Sequence, residues 1–450
     1  MATVYFTNNS DSGDGSLRAA LASASAGDTI APDPNVAWNG DIEIALESVL
    51  PSKSISIVGT PEHRIVLNGQ GVNRFYNVST SLNITFQYVD FKNGYRSDAA
   101  PFYISRLGAE DSWTFESCRF YGGSGNYAGG IQLASANTTG TVALNNCVAF
   151  NNTARGTYNS TIPCPAFLYV ASASLATVTI NGCTLAKESN RAAVGGTGGT
   201  VTKTNSLIDG ENSVDFANAG FVDATNCDFR LTATSPYLTG GASTGTDFLG
   251  HARSGSIGAF DGSYFVVAAN GTAKISANTT IDYLEVGAGA TVSFSGTDRI
   301  LAATEGATVG AATFSATTGS TGYLALPSGA STSSATLTGV KATTYGASVT
   351  SFSASRSGQN IALTWTETTG KSFLIEKSTD NGATWETVAA STPPYSFLSV
   401  GAASFRTFDG VSFVERGSVA AYVAPRANFE AASVVRYGWL KTSNTIGYLN

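Results

Sequence analysis

Along the first half of the chain one short pattern returns: apolar, polar, apolar, two turn-type residues, a small apolar residue, polar, apolar. It reads Ile84-Thr85-Phe86-Gln87-Tyr88-Val89-Asp90-Phe91, then Trp113-Thr114-Phe115-Glu116-Ser117-Cys118-Arg119-Phe120, then Val142-Ala143-Leu144-Asn145-Asn146-Cys147-Val148-Ala149. It continues as Val178-Thr179-Ile180-Asn181-Gly182-Cys183-Thr184-Leu185 and, more weakly, as Val201-Thr202-Lys203-Thr204-Asn205-Ser206-Leu207-Ile208. Superimposed, the copies put Val89, Cys118, Cys147, Cys183 and Ser206 in one column, spaced by 29, 29, 36 and 23 residues. A constant strand with loops of changing length marks a solenoid, because each coil stacks only on its neighbours and insertions are pushed outward. The pattern therefore predicts an all-β protein, a right-handed parallel β-helix over residues 1–262.

Alternation of period two sends Trp113, Phe115, Cys118 and Phe120 inward, with a bend at Glu116-Ser117 that resets the parity. The column cysteines are then small apolar fillers carrying free thiols. Asn145, Asn146, Asn181 and Asn205 lie at or beside the bend, where asparagine tolerates left-handed backbone and its amide can bond along the stack. Lys203 falls in an inward column, which predicts that the last coil loosens or that the register slips there.

The outward column reads Asp90, Arg119, Val148, Thr184, Leu207. With coils about 4.8 Å apart, Asp90 and Arg119 should touch. They read as an exposed ion pair of the common, weak kind, and they are also the candidate catalytic residues if this face is the remnant of a lyase site. Tyr95, Tyr103, Tyr121, Tyr127 and Tyr158 fall in loops near one side and are the candidate binding residues for a polymeric sugar.

At the start, Ser16 reads as the N-cap of a short amphipathic helix carrying Leu17 and Leu21, a cap for the open end of the first coil. The opening Asn9-Ser10-Asp11-Ser12-Gly13-Asp14-Gly15-Ser16-Leu17-Arg18 resembles that of secreted bacterial β-helix proteins of the pectate-lyase-like superfamily. Leu50 to Gly59 and Ile65 to Gly71 resemble the first coils of that family. Ser235-Pro236-Tyr237, Asp247 to Arg253 and Ser256 to Phe260 resemble the closing segment of its anchored surface members. In that closing segment Asp247 and Arg253 are expected to pair, with His251 at the surface between them. The resemblance implies an extracellular or cell-surface setting. Members that cleave acidic polysaccharide carry clustered aspartates for calcium and a basic residue on one outward face; here that face offers Asp90 and Arg119 and no further charge, so the resemblance brings no active site.

Behind the helix, residues 263–346 carry short strands such as Thr280 to Val292 and predict a small β-solenoid or sandwich. Residues 347–425 resemble a fibronectin type III module. Ile361 to Trp365 supplies an inward tryptophan, Phe373 to Ser378 and Phe405 to Gly410 supply strands, and Asp380 to Gly382 a tight hairpin turn. Residues 426–450, with Tyr437, Trp439 and Tyr448, form a tail or an edge strand.

Composition narrows the function. At 450 residues more than one domain is expected. Only 13% of residues are charged and 49 are glycine, the balance of a β-rich, turn-rich surface. A net charge of −7 with 25 Lys and Arg in no basic run argues against nucleic acid as a partner. Five cysteines without zinc spacing and two histidines leave no metal site of that kind, and no cofactor is expected. No run of about 18 apolar residues predicts a membrane span, and the start at Met1-Ala2-Thr3-Val4 has no apolar signal core, so an export signal is expected to have been removed or to lie outside this sequence. The preferred reading is a non-enzymatic surface, structural or adhesive protein whose partner is a polysaccharide or a host or neighbouring-cell surface. A polysaccharide lyase or glycoside hydrolase is the alternative, and a self-assembling surface or filament subunit the second.

Overall fold

The structure, a computed structural model, describes residues 1–158, 161–346, 349–367, 374–388, 395–408 and 412–423. Phe373, Asp409, Gly410 and the tail with Tyr437, Trp439 and Tyr448 lie outside the described residues. The chain divides into two compact units: Met1–Gly271 with Ile281–Ala290 and Glu305–Gly310, and Thr272–Thr280 with Thr291–Thr304 and Ala311–Asn450.

The first unit is a parallel β-solenoid with three strand columns. One sheet stacks Thr3–Phe6, Thr29–Pro32, Ile55–Val58, Ile84–Gln87, Ser112–Glu116, Thr141–Asn145, Thr177–Asn181 and Thr200–Thr204. A second stacks seven strands from Ile42–Ala45 through Val89–Lys92 and Arg119–Tyr121 to Leu207–Ile208. A third stacks Tyr76–Val78, Phe102–Ile104, Ile131–Leu133, Leu168–Val170 and Val194–Gly196. The recurring motif covers the first two sheets, and its bend is a left-handed residue in every copy. Tyr88 has φ 52°, Ser117 52°, Asn146 53°, Gly182 62° and Asn205 48°. Asparagine and glycine accept that conformation at low cost, which is why they recur there. The side-chain amides also bond along the stack, Asn205 Nδ2 donating to Asn181 Oδ1 at 3.1 Å.

The register reproduces the predicted columns. Arg119 pairs with Asp90 and Val148, Val148 with Thr184, and Thr184 with Leu207. One position earlier, Cys118, Cys147 and Cys183 follow one another inside, all buried and all free. Burial, first, and the neighbouring thiols push the Cys147 pKa well up, so it stays a protonated core filler. Aromatic rings stack beside them, Phe86 on Phe115 at 5.2 Å and Phe91 on Phe120 at 4.9 Å. Such pairs add about 0.5–1.5 kcal/mol each beyond the area they bury. In the last coil Lys203 takes the inward position opposite Ile180 and reaches out to Glu211 at 2.6 Å, so the core opens there.

The only α-helix among the described residues is Leu17–Ser23. The Ser16 hydroxyl accepts from Ala19 N at 3.1 Å, and Leu17, Ala20 and Leu21 are buried with Phe6 and Ile30. Arg18 grips Asp11 with both carboxylate oxygens and donates to the carbonyls of Ser48 and Val49. Lys53 Nζ donates to Leu21 O and Ala24 O, neutralising the helix C-terminus. No helix among the described residues is long and apolar enough to cross a membrane.

The second unit holds a smaller parallel stack, Thr272–Ile275, Thr291–Phe294, Thr313–Ala316 and Thr336–Thr338, with Gly322–Leu326 and Val340–Thr344 pairing in parallel beside it. It also holds two antiparallel sheets. Val349–Ser357, Asn360–Glu367 and Tyr395–Leu398 form one; Glu386–Thr387, Leu374–Ser378, Ala403–Phe408 and Phe413–Val419 form the other. Trp365 lies in their shared core with Ile361, Ile375 and Phe405, as its inward assignment requires. Asn381 and Gly382 are left-handed in the turn after Ser378. The Asp380 carboxylate accepts from Thr384 Oγ1 and N and from Ser378, which brings its pKa down to about 2.

Candidate functional site

Asp90 and Arg119 meet as the register predicts, Arg119 Nη2 lying 2.5 Å from Asp90 Oδ2. Their exposure does not follow the prediction. Asp90 is fully buried, and Val148, Thr184 and Leu207 below it are buried as well. A second arginine explains how a carboxylate survives there: Arg64 donates through Nε at 3.0 Å and Nη2 at 2.6 Å to Asp90 Oδ1. Both oxygens of Asp90 are therefore engaged by cations. Burial by itself would lower the Arg119 pKa; the charge and hydrogen bonds of Asp90 more than offset it, and the pKa rises above its usual value. This buried carboxylate is held between two guanidinium groups.

The cover over the column comes from the segment Thr246 to Phe260. Phe248 places its ring 4.2 Å from the Arg64 guanidinium carbon. Asn146 Nδ2 donates to Thr246 O, Ala259 N donates to Thr184 Oγ1, and Gly258 N donates to Asn205 O. A side chain at Gly258 would strike Thr184 and Leu207, so the strap can lie this close only with glycine there. Phe248, Ala259 and Phe260 join Val148 and Leu207 in one buried cluster. The expected Asp247–Arg253 pair does not form. Asp247 accepts from the backbone of Leu249, His251 and Asp261, which folds a tight turn. Arg253 donates instead to Asn146 Oδ1 at 2.6 Å and Gly258 O at 2.9 Å, with Asp261 4.0 Å away. The N–H groups of Leu249 and His251 out-compete the guanidinium because they sit two and four residues from the carboxylate and need no side-chain ordering. His251 is no bare surface residue either: its ring stacks on Tyr283 at 4.3 Å.

Beside this strap is a polar cleft of about 400 Å³, lined by Glu116, Asn145, Asn146, Asn181, Thr246 and Arg253 among others. Burial raises the Glu116 pKa, opposed by hydrogen bonds from Asn146 and Asn145. A raised carboxyl is what a general acid needs, but glycoside hydrolysis takes two carboxyl groups across the bond. Glu116 is the only one in this lining.

The five tyrosines separate. Tyr121 belongs to the second sheet, stacked on Phe150. Tyr103 stands in the third sheet, where Tyr103, Gln132 and Tyr169 are register partners on the outward side. Tyr127 comes from a loop and Tyr158 from the short strand Thr157–Tyr158, and both pack on Tyr169, ring centroids 5.6 and 5.5 Å away. Tyr95 lies under Arg155 at 4.8 Å. All five are half-buried, whereas Tyr169 is buried beneath its two partners. Gln132 Oε1 is buried without a hydrogen-bond partner among the described residues. Tyr169 and Gln132 escaped the sequence reading because the third strand of each coil is only three residues long; the alternation Leu168-Tyr169-Val170 was the available signal. Arg64 was also missed, since it lies just before a strand, outside the repeat.

The fold defines the chain as a parallel β-solenoid protein. No protein family, curated protein or solved structure matches it.

Proposed function

We propose that this chain is a non-enzymatic, extracellular surface protein of bacterial type, related to the pectate-lyase-like β-helices, that binds glycan along the solenoid. The single observation behind the non-catalytic reading is the closed state of Asp90, locked between Arg64 and Arg119 under Phe248. The glycan surface is the third-sheet side, where Tyr103, Tyr127 and Tyr158 offer half-buried rings and hydroxyls, Tyr127 and Tyr158 being packed on buried Tyr169. Aromatic faces attract the weakly positive C–H groups of a sugar ring. In this reading the helix Leu17–Ser23 caps the first coil, and the three- and four-stranded antiparallel sheets around Trp365 are a fibronectin type III-like spacer. The extracellular setting rests on the composition and on the resemblance of the opening and closing segments.

The test is incubation with polygalacturonate or alginate and calcium, followed by ultraviolet absorbance of unsaturated ends. No rise is expected. Turnover that disappears in Arg119→Ala would overturn the non-catalytic reading.

A further inference from the structure

A cleft unrelated to the tyrosine side opens where the strap meets the strands Ser263–Val267 and Thr279–Val286. Tyr264 and Tyr283 are partners in adjacent parallel strands, with ring centroids 4.8 Å apart and planes 20° from parallel. His251 adds a third ring, 4.3 Å from Tyr283 at 14°, and its Nδ1 lies 3.1 Å from the Tyr264 hydroxyl. Two adjoining cavities, of about 440 and 280 Å³, share Ala252, Tyr283 and Glu305 in their walls. The larger lies within the roughly 300–1,000 Å³ usual for small-molecule sites. Gly306 lies against the Tyr283 ring; a Cβ there would come within 2.9 Å of Tyr283 Cδ1. The missing side chain keeps this wall of the cleft clear.

The charges of the cleft select the ligand. Glu285 is engaged by Arg230 at 2.5 Å, and Arg230 is held by Asp228 as well. Arg253, the one cation in the walls, is buried with its donors on Asn146 and Gly258. The exposed Glu305 carboxylate makes no ion pair and no hydrogen bond among the described residues and remains a ready acceptor. Burial, followed by the charges of Asp247, Glu305 and Asp282, pushes the Tyr283 pKa up to about 12, so its hydroxyl is a neutral donor. Nothing here neutralises an anion. The rings are near parallel, so they make a platform rather than the enclosing cage that captures a cation.

We propose that the cleft of His251, Tyr283 and Glu305 is a saccharide subsite for an uncharged sugar, which rests its ring on the aromatic platform and donates a hydroxyl to Glu305. It is independent of the Tyr103, Tyr127 and Tyr158 surface, and variants at the two places separate them.

Titration calorimetry of the full chain with laminarihexaose, N-acetylchitohexaose, hexagalacturonate and tetramethylammonium tests this. At least one uncharged oligosaccharide should bind, and hexagalacturonate should not. Glu305→Ala, at an exposed position, should weaken binding about tenfold, as expected for loss of a charge-assisted hydrogen bond. Gly306→Leu, checked for folding by circular dichroism, should block it, and both losses should persist on a Tyr127→Ala/Tyr158→Ala background, which removes the other surface. The subsite is overturned if neither uncharged oligosaccharide binds, if Glu305→Ala leaves binding unchanged, or if hexagalacturonate or tetramethylammonium binds instead and depends on Glu305.

Discussion

Asp90 and Tyr103 stand in the same coil, on the outward columns of the second and third sheets, and what lies over them differs. Above Asp90 the strap from Thr246 to Phe260 closes the column, two arginines hold the carboxylate, and a phenylalanine covers one of them. Around Tyr103 the described residues form no such strap, and rings and an amide remain half-buried or unpaired among them. The rung backbone is the same on both sides. A charge placed on a solenoid face next to apolar neighbours such as Val148 and Leu207 must be either solvated or enclosed with its counter-charges, and this chain encloses it. A tyrosine face carries its polarity at the ring tip and needs no cover. The side that looks like chemistry in sequence is therefore closed, and in the proposed reading it is the uncharged side that meets a ligand.

The largest effect should come from breaking the closed side. Asp90→Ala leaves Arg64 buried and unpaired, and removing one partner of a buried ion pair costs about 3–5 kcal/mol. Urea unfolding should show it; a loss below about 1 kcal/mol would mean the site behaves as an exposed pair. Cys147→Ala, in the column shared by both sides, should cost about 1–3 kcal/mol for the shortened packing. Mass spectrometry without reduction should find Cys118, Cys147 and Cys183 unbonded.

A smaller effect depends on pH. Asp261 ties the strap by accepting from Ser254, Gly255 and Ser256. Burial pushes its pKa up, but these hydrogen bonds outweigh burial and hold it below the usual carboxylate value. A lowered folded pKa gives stability that is fully present above the unfolded value of about 3.9 and is lost as pH falls through the folded pKa. Melting temperature should therefore drop with acid below about pH 4, and Asp261→Asn should flatten that slope. An unchanged slope would remove Asp261 from the strap's anchoring.

The coils were legible because their signal is repeated: five copies of one strand fix the register, the inward cysteines and the left-handed bend without any structure. The sides were less legible. Asp90 touching Arg119 follows from stacking, but its burial depends on Arg64, 26 residues before it, and on Phe248, far along the chain. No local pattern joins those positions. The tyrosines were found as a composition and not as a surface, since the support of Tyr127 and Tyr158, Tyr169, sits in a three-residue strand too short for periodicity to mark. Asp247 and Arg253 were paired by charge alone, and nearby backbone amides decided otherwise.

The most direct test of a closed charged side and a glycan-binding tyrosine side is affinity electrophoresis of the full chain through gels containing polysaccharide, comparing the parent with Tyr127→Ala/Tyr158→Ala. Both substitutions fall on half-buried positions outside the three stacked sheets, and circular dichroism should show the solenoid intact. With both proteins carrying Glu305→Ala, so that the separate cleft does not contribute, the one with intact tyrosines should be retarded and the double variant should migrate freely, with affinity lower by about tenfold or more. Equal retardation of parent and double variant, or retardation lost only in a folded Arg119→Ala protein, would contradict the account.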